Sequence, residues 1–295
     1  IPAKAGTHLA TCADFELDPC VRRDDTAVEQ AMKREKIGRL LGLATLVLLV
    51  GGSAALVYGN QLASELRHTL PPTPVLATLP VSTMVVDNKG ALLRPFTADG
   101  GRWRLPVTIP DVDGRFLEML VAYEDKTFRV HRGIEWSSMA RAALQFAGAG
   151  GHIVSGGSTL TMQVARLLES ESTRSALGKL RQMVHADALE QQLSKDEILT
   201  LYLTLAPYGG NIEGVRAASL AYFGKEPKRL SSAESALLVA LPQSPEARRP
   251  DRDPVAALAS RNNVIDRMLL AGVLSAEEAE VAKGEPVPSA RKEFP

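Results

Sequence analysis

The longest apolar stretch of the chain lies near its start. Leu40 to Tyr58 carries no charged residue over about 19 positions, roughly the length at which a helix crosses the hydrocarbon core of a membrane. Four basic residues precede this stretch, namely Lys33, Arg34, Lys36 and Arg39, whereas Glu65 and Arg67 roughly cancel after it. The positive-inside rule then predicts a cytoplasmic N-terminus, with everything after Gly59 outside.

The preferred interpretation is a single membrane-spanning helix over residues 37–59. A polar, mobile, cytoplasmic tail is expected over residues 1–36. A linker over residues 60–80, stiffened by prolines, is expected after the helix. A cleaved signal peptide is one alternative, but both the apolar run and the segment before it are long for one. A buried helix of a soluble domain is the other, which the uncharged length disfavours.

Beyond the linker the pattern predicts one small β-hairpin and then helices. Val81 to Val86 and Ala91 to Leu93 flank the turn Asp87 to Gly90. Trp103 to Pro110 is irregular, with an extended bias before its prolines. From Asp111 onward the apolar spacing is helical. Three capping-box signatures mark helix starts: Ser194 with Glu197, Ser231 with Glu234, and Ser275 with Glu278.

Composition changes this picture little. The 295 residues suffice for one sizeable domain, and scarce aromatics with abundant Ala and Leu favour helices. The formal net charge of zero gives no electrostatic case for nucleic acid as a partner. Cys12 and Cys20 lack a second pair or nearby histidines, so two free thiols are expected rather than a zinc site.

Candidate chemistry lies in two short stretches. The first is Glu124 to Gly133, in which two acids end an amphipathic run and a histidine and a glycine follow. The second is Gly156 to Gln163, in which a glycine pair leads into hydroxyls and a helical pattern. Each has a structural alternative: a solvated acidic pair with a loop histidine, and a helix N-cap. The functional interpretation of the second is an anion site at a helix start.

Adjacent acids at a helix end point in different directions. Glu124 and Asp125 are therefore not expected to act on one atom as an acid and base pair. One is expected to serve the chemistry and the other the structure.

The motifs resemble those of the peptidoglycan glycosyltransferases (family 51), the front domain of class A penicillin-binding proteins. The similarity begins with Glu124-Asp-x-x-Phe128-x-x-His131-x-Gly133 and continues with Gly157-Ser158-Thr159-Leu160-Thr161-x-Gln163. Later stretches extend it in the same order, at Lys195–Leu203, Ala206–Gly214 and Tyr222–Lys225. The amino-acid sequence of the second motif is most similar to that of the 1C-type branch.

This resemblance implies a mainly α, lysozyme-like domain over residues 81–288, with the hairpin at its entrance and one transmembrane helix before it. It implies a bacterial inner-membrane protein, single-pass, with its catalytic domain on the periplasmic side. Lipid II would be polymerised into β-1,4 glycan strands with inversion and release of undecaprenyl diphosphate. The implied partners are lipid II, the nascent glycan, the inner membrane and other cell-wall synthesis proteins.

The resemblance also assigns roles to residues. Glu124 matches the general base, a task that suits a carboxylate if partial burial beside Phe128 raises its pKa. Asp125, Phe128, His131 and Gln182 match positions that shape the site. The positions that hold substrate and pyrophosphate are matched by Ser158, Thr159, Gln163, Arg166, Lys179 and Arg181. A divalent metal, Mg²⁺ or Mn²⁺, could help neutralise the diphosphate.

The chain departs from the family pattern at two positions. Gln182 replaces the second family carboxylate, and an amide cannot act as an acid or a base. Thr204 stands where relatives have Asn. These departures favour weak turnover, and they support the alternative of a non-catalytic module that binds lipid II or glycan. A second alternative keeps the fold but cleaves glycan.

Two further stretches carry expectations. Phe146 to Ser155 is glycine-rich and predicts a disordered loop, located where a mobile lip would admit lipid. Residues 289–295 are expected to form a tail, with the transpeptidase domain absent. The stretch Ser289 to Lys292 matches a Ser-x-x-Lys motif, and we interpret this match as a coincidence of sequence. We therefore expect no β-lactam binding.

Overall fold

The computed structural model describes residues 19–74, 76–148, 157–169 and 175–294. These fall in two compact units that divide after Leu62. Helix α1 (Pro19–His68) makes up the described part of the first unit and continues into the second. Among the described residues, its stretch Met32–His68 is the one helix long and apolar enough to cross a membrane.

Helix α1 is longer than the predicted span of residues 37–59. Residues 19–36 of the predicted tail are helical, residues 1–18 lie outside the described residues, and the mobility of the tail stays a prediction. Ion pairs one helical turn apart stabilise this part of the helix, Glu29 with Lys33 and Glu35 with Arg39. The apolar side chains of the predicted span are exposed, which contradicts the alternative of a buried soluble helix.

The predicted hairpin is confirmed. Strands β1 (Met84–Val86) and β2 (Leu92–Pro95) pair antiparallel, with a register shift between Val85 and Val86. Asp87 closes the turn, because its Oδ1 accepts hydrogen bonds from the backbone N–H groups of Lys89 and Ala91.

The prediction of a mainly α domain is also confirmed. Its helices are α2 (Gly114–Glu124), α3 (Trp136–Gly148), α4 (Leu160–Leu168), α5 (Ala176–Gln192), α6 (Lys195–Leu205), α7 (Val215–Phe223), α8 (Ser232–Ala240), α9 (Pro254–Leu270) and α10 (Ala276–Gly284). All three predicted capping boxes form, at the starts of α6, α8 and α10. Each satisfies backbone N–H groups that a helix start would leave unpaired.

The core of the second unit is formed by helices packed around α8. All residues from Ser235 to Ala240 are buried, and α8 packs against α2 and α9. Helix α4 packs against α5 and α6, with Leu160 and Val164 fully buried. Helices α2 and α4 bring the two candidate stretches into this packed region.

A second sheet was not predicted. Strand β3 (Trp103–Arg104) lies parallel to β5 (Ile212–Glu213), which pairs antiparallel with β4 (Pro207–Gly209). The strands are very short and β3 is distant in sequence from the other two, so no local alternation signals them. Glu213 holds the sheet together by pairing with Arg102 and Arg104.

The described residues of the predicted C-terminal tail pack on the domain. The backbone N–H of Lys292 donates to Ala221 O at 2.7 Å. Arg291 donates to Gly209 O at 3.0 Å. The ring of Phe294 lies 4.5 Å from that of Trp103, centroid to centroid. Residues 289–294 are thus a docked segment rather than a free tail.

Candidate active site

The loop after α2 is tied to the start of α4 by Asp125. Its side chain is buried, and its Oδ2 accepts a hydrogen bond from the backbone N–H of Leu160 at 2.9 Å. His131 Nε2 lies 2.8 Å from the same oxygen, so Nε2 is the nitrogen that carries the proton and donates. Asp125 therefore has a structural task, as the resemblance implies for a residue that shapes the site.

Gly133 and Thr159 fix the other end of this loop. Gly133 has a φ of +78°, and a Cβ on it would lie 2.9 Å from the backbone oxygen of Ala186 on α5. Thr159 donates from Oγ1 to Gly133 O at 2.5 Å and accepts from the backbone N–H of Met162 at 3.1 Å. The hydroxyl of Thr159 is thus an N-cap for α4, the structural alternative that the sequence left open.

Glu124 accepts one hydrogen bond on each oxygen of its half-buried carboxylate. Gln163 Nε2 on α4 donates to Oε2 at 2.8 Å. Gln243 Nε2, beyond the end of α8, donates to Oε1 at 3.0 Å. Two neutral amides from different elements therefore set the orientation of this carboxylate.

Two buried phenols also lie within the electrostatic influence of Glu124. Burial, and after it the charge of Glu124, raises the pKa of Tyr202 and of Tyr208. Both phenols therefore stay protonated at neutral pH. The charge of Arg166 opposes the shift at Tyr202, so this phenol lies within reach of both the carboxylate and the cation.

A positively charged side chain from α5 lies beside Ser158. Lys179 Nζ on α5 donates to Ser158 Oγ. Burial, and after it the charge of Arg166, lowers the pKa of Lys179. Arg166 is exposed, lies one helical turn beyond Gln163 on α4, and makes no hydrogen bond or ion pair with the described residues. One half-buried cation, Lys179, and one exposed cation, Arg166, therefore influence each other electrostatically.

Glu124 and Ser158 line one cleft with a volume of about 280 Å³. Its lining residues are Tyr123, Glu124, Asp125, Lys126, Thr127, Glu135, Ser138, Arg141, Gly157, Ser158 and Thr159. The cleft is lined by residues around the end of α2, the start of α3 and the segment before α4. Two residues outside this lining contact residues within it: Lys179 donates a hydrogen bond to Ser158, and Gln163 donates one to Glu124.

Phe128 is fully buried below the loop. Its ring meets His131 edge-on, with ring centroids 6.4 Å apart, and Lys195 Nζ lies 4.7 Å from the centroid of the Phe128 ring. Lys195 also pairs with Glu190 at 2.6 Å. Phe128 thus supports, from the core side, the loop that follows Glu124.

The face of α5 below Lys179 holds a buried ionic cluster. Glu169, whose side chain is 3% exposed, pairs with Arg181 Nε at 3.1 Å and with His185 Nδ1 at 3.0 Å. Arg181 also donates to Thr69 through Nη1 and Nη2. The guanidinium predicted to bind pyrophosphate is therefore engaged with Glu169 and Thr69, and its substrate role stays a prediction.

The two departures from the family pattern are both buried. Gln182 is 5% exposed and lies on α5 one turn before His185. Thr204 is 3% exposed and donates from Oγ1 to Thr200 O at 2.8 Å within α6. Neither side chain adds a carboxylate to the cleft.

Among the described residues, no group of three or more His, Cys, Asp and Glu side chains is placed to hold a metal ion. The expectation of Mg²⁺ or Mn²⁺ at the diphosphate stays a prediction. Most of the predicted lip, from residue 149 onward, lies outside the described residues, as does Gly156.

Sequence reasoning missed Gln243 and the Glu169–His185 pair. Gln243 follows α8 by three residues and meets Glu124 across 119 positions of sequence, so no spacing pattern relates them. Two further polar residues on α5, His185 and Asp187, have ionic partners. His185 pairs with Glu169, and Asp187 pairs with Arg67 at 2.8 Å.

Comparison with known proteins identifies the family of this chain. The family model "Transglycosylase" matches residues 89–269, which include every predicted site residue. The chain is 48% identical to penicillin-binding protein 1C of Escherichia coli over 76% of this chain and 29% of that protein. It is 35% identical to penicillin-binding protein 1A of Pseudomonas aeruginosa over 82% of this chain and 29% of that protein.

A crystal structure of penicillin-binding protein 1A from Haemophilus influenzae is 23% identical, with a TM-score of 0.41, and covers 73% of this chain and 22% of that one. The chain thus spans less than a third of the length of these curated relatives. The higher identity to the 1C protein confirms the 1C-like branch. Because the family model covers more than half of the sequence, the chain belongs to the transglycosylase family.

Proposed function

We propose that this protein is a membrane-anchored peptidoglycan glycosyltransferase that polymerises lipid II with inversion. The observation that carries the proposal is the contact between Glu124 and Gln163, because it joins the candidate base to the helix that bears Arg166. Lys179 brings a second cation to Ser158 in the wall of the same cleft. Membership of the transglycosylase family supports the same activity.

In the proposed reaction Glu124 takes the proton of the acceptor's 4-hydroxyl. The freed oxygen pair attacks the anomeric carbon of the donor sugar, and the bond from that carbon to the diphosphate oxygen breaks. Attack opposite the leaving group inverts the centre and gives a β-1,4 link. Undecaprenyl diphosphate leaves with the electron pair of the broken bond.

The cations serve the leaving group. Charge grows on the diphosphate as its bond breaks, and preorganised cations in a partly dry site stabilise such charge strongly. Lys179 is half-buried and fixed on Ser158, which makes it the more preorganised of the two. Arg166 is exposed and offers a planar fork that fits phosphate oxygens.

The amide at Gln182 limits which side chains can act as the base. An amide cannot ionise, so the base function falls to Glu124 alone. The leaving diphosphate needs charge stabilisation rather than a proton, because its oxygens are already weakly basic. The replacement at Gln182 is therefore compatible with turnover.

The apolar part of α1 supports an anchor in the inner membrane. The basic residues before it favour a cytoplasmic N-terminus and a periplasmic catalytic domain. Lipid II and the nascent glycan strand are the proposed substrates, and both would meet the enzyme at the membrane surface. Other proteins of cell-wall synthesis stay predicted partners.

The test is an assay with the purified chain in detergent or vesicles and labelled lipid II. We expect glycan strands, with one undecaprenyl diphosphate released for each glycosidic bond formed. Lipid II binding without product would favour the non-catalytic module, the alternative that Gln182 supports. Release of reducing ends from purified sacculi would favour the glycan-cleaving alternative, whereas loss of product in Arg166→Ala with the lipid-linked donor would contradict it.

A further inference from the structure

We propose that Gln243 and Arg248 act together as a positioning pair for the catalytic carboxylate. This inference rests on the proposed function of Glu124. Gln243 donates from Nε2 to Glu124 Oε1 at 3.0 Å. Arg248 Nη1 donates to Gln243 Oε1 at 3.1 Å. A chain of two hydrogen bonds thus runs from a guanidinium through an amide to the carboxylate.

Arg248 decides which way the Gln243 amide faces. A glutamine side chain can present its oxygen or its NH₂ group to a neighbour with little difference in shape. Because a guanidinium only donates, it must meet the amide oxygen, and the NH₂ group then faces Glu124. Without Arg248 the amide is free to turn and place its oxygen against the carboxylate, which would repel it.

Arg248 is itself fixed at the end of α8. Its Nη1 also donates to Ala240 O at 2.7 Å, one of the last carbonyl groups of the helix, which lack partners within it. Gln243 sits in a short turn closed by the bond from Ser244 N to Leu241 O at 3.1 Å. Pro242 restricts the backbone of that turn. The pair is therefore built on a rigid corner of the fold.

Glu124 needs such support because the terminal torsion of a glutamate is soft. Gln163 holds Oε2 from α4, and Gln243 holds Oε1 from the turn after α8. One bond alone would leave the carboxylate plane free to rotate about it. Each oxygen keeps a second lone pair for the acceptor hydroxyl, so the clamp orients the base without blocking it.

Positioning predicts an effect on turnover rather than on substrate binding. A displacement of the order of 1 Å at a reacting group costs up to about a hundredfold in rate. We expect Gln243→Leu to lower kcat about tenfold while KM for lipid II stays within about twofold. Gln243→Glu keeps the shape but removes the donor, and we expect it to lower kcat further.

The matched control is Gln192→Leu, because Gln192 is exposed on α5 and bonds only to Ala188 O among the described residues. We expect its kcat to equal that of the unmodified chain. Melting temperatures of all variants are compared, since a structural role would lower them together with activity. A rise in KM without a fall in kcat would overturn the proposal and make Gln243 a substrate-binding residue.

A double-mutant cycle tests the role of Arg248. We expect Arg248→Met to lower kcat severalfold in the unmodified chain and to have no further effect in Gln243→Leu, because Arg248 acts through Gln243. Arg252→Met, at an exposed arginine that pairs with Glu246 at 3.6 Å, is the matched control. If Arg248→Met lowers kcat equally in the unmodified chain and in Gln243→Leu, the proposal that the two residues act as a pair is wrong.

The result separates this inference from the proposed function. If the unmodified chain forms glycan and Gln243→Leu is equally active, the positioning pair is wrong and the enzyme proposal stands. If the unmodified chain forms no glycan while binding lipid II, the proposed function itself fails.

Discussion

Lys179 is the residue with the clearest structural support for the proposed anion-binding role. Its ammonium group is half-buried against Ser158, and both burial and the nearby charge of Arg166 favour its neutral form. A bound diphosphate would favour the protonated form of Lys179, because it supplies negative charge beside the two cations. The same arrangement makes the site sensitive to alkaline pH.

The prediction is that affinity for lipid II weakens as pH rises toward 10.5, the ordinary pKa of lysine, and that it does so earlier than for an unperturbed lysine. The sign follows because the anion binds the protonated group, and a lowered pKa means that the proton is lost at lower pH. The measurement is KM for lipid II across this range. In Lys179→Arg the side chain stays charged, so its KM should stay flat there. Identical profiles for both proteins would contradict the assignment.

Gly133 joins two elements, the loop that follows Glu124 and helix α5. Its φ of +78° disfavours a side chain, and a Cβ would approach the backbone of Ala186, which cannot move without shifting the helix. We expect Gly133→Ala to lower the free energy of unfolding by about 3 kcal/mol, from backbone strain and overpacking together. Urea unfolding measures this.

Gly272 provides the matched control. Its φ is +73°, but nothing lies within 4 Å of a Cβ built on it. We expect Gly272→Ala to cost about 1 kcal/mol, the strain alone. A Gly133→Ala protein as stable as Gly272→Ala would show that the loop does not press on α5.

The contact between α4 and α5 depends on a buried histidine. Burial lowers the pKa of His185, although its hydrogen bond to Glu169 opposes part of the shift. Below pH 6.5, the ordinary histidine value, the unfolded chain gains a proton that the folded chain does not. The contribution of His185 to the free energy of unfolding therefore decreases as pH falls below 6.5.

We expect His185→Gln to show a weaker loss of stability than the unmodified chain on acidification below pH 6.5. The measurement is urea unfolding over that range. Parallel curves for the two proteins would contradict a lowered pKa at His185.

At the scale of elements, local signals were sufficient where a few neighbouring residues determine the structure. The capping boxes at Ser194, Ser231 and Ser275 each involve four consecutive residues, and all three form. The hairpin turn at Asp87 is equally local. Strand β3 was missed because its partner β5 lies more than a hundred residues away and each strand has only two residues.

At the scale of the whole molecule, the site is assembled from distant segments. The sequence identified Glu124, Gln163 and Lys179 through resemblance, and the structure joins Glu124 to Gln163 and Lys179 to Ser158. It could not identify Gln243, since that contact depends on how α8 packs against α2. The docked segment at Arg291 and Phe294 was missed because its partners Gly209 and Trp103 also lie far away in sequence.

The central claim is that one carboxylate serves as the base of lipid II polymerisation. The most direct measurement compares the rate of glycan formation by Glu124→Gln with that by Glu118→Gln, a control at an exposed glutamate on α2 that pairs with Arg115 at 3.3 Å. We expect Glu124→Gln to fall by about a hundredfold to ten-thousandfold with lipid II binding retained, and Glu118→Gln to stay unchanged. Equal rates of glycan formation in both variants would contradict the account.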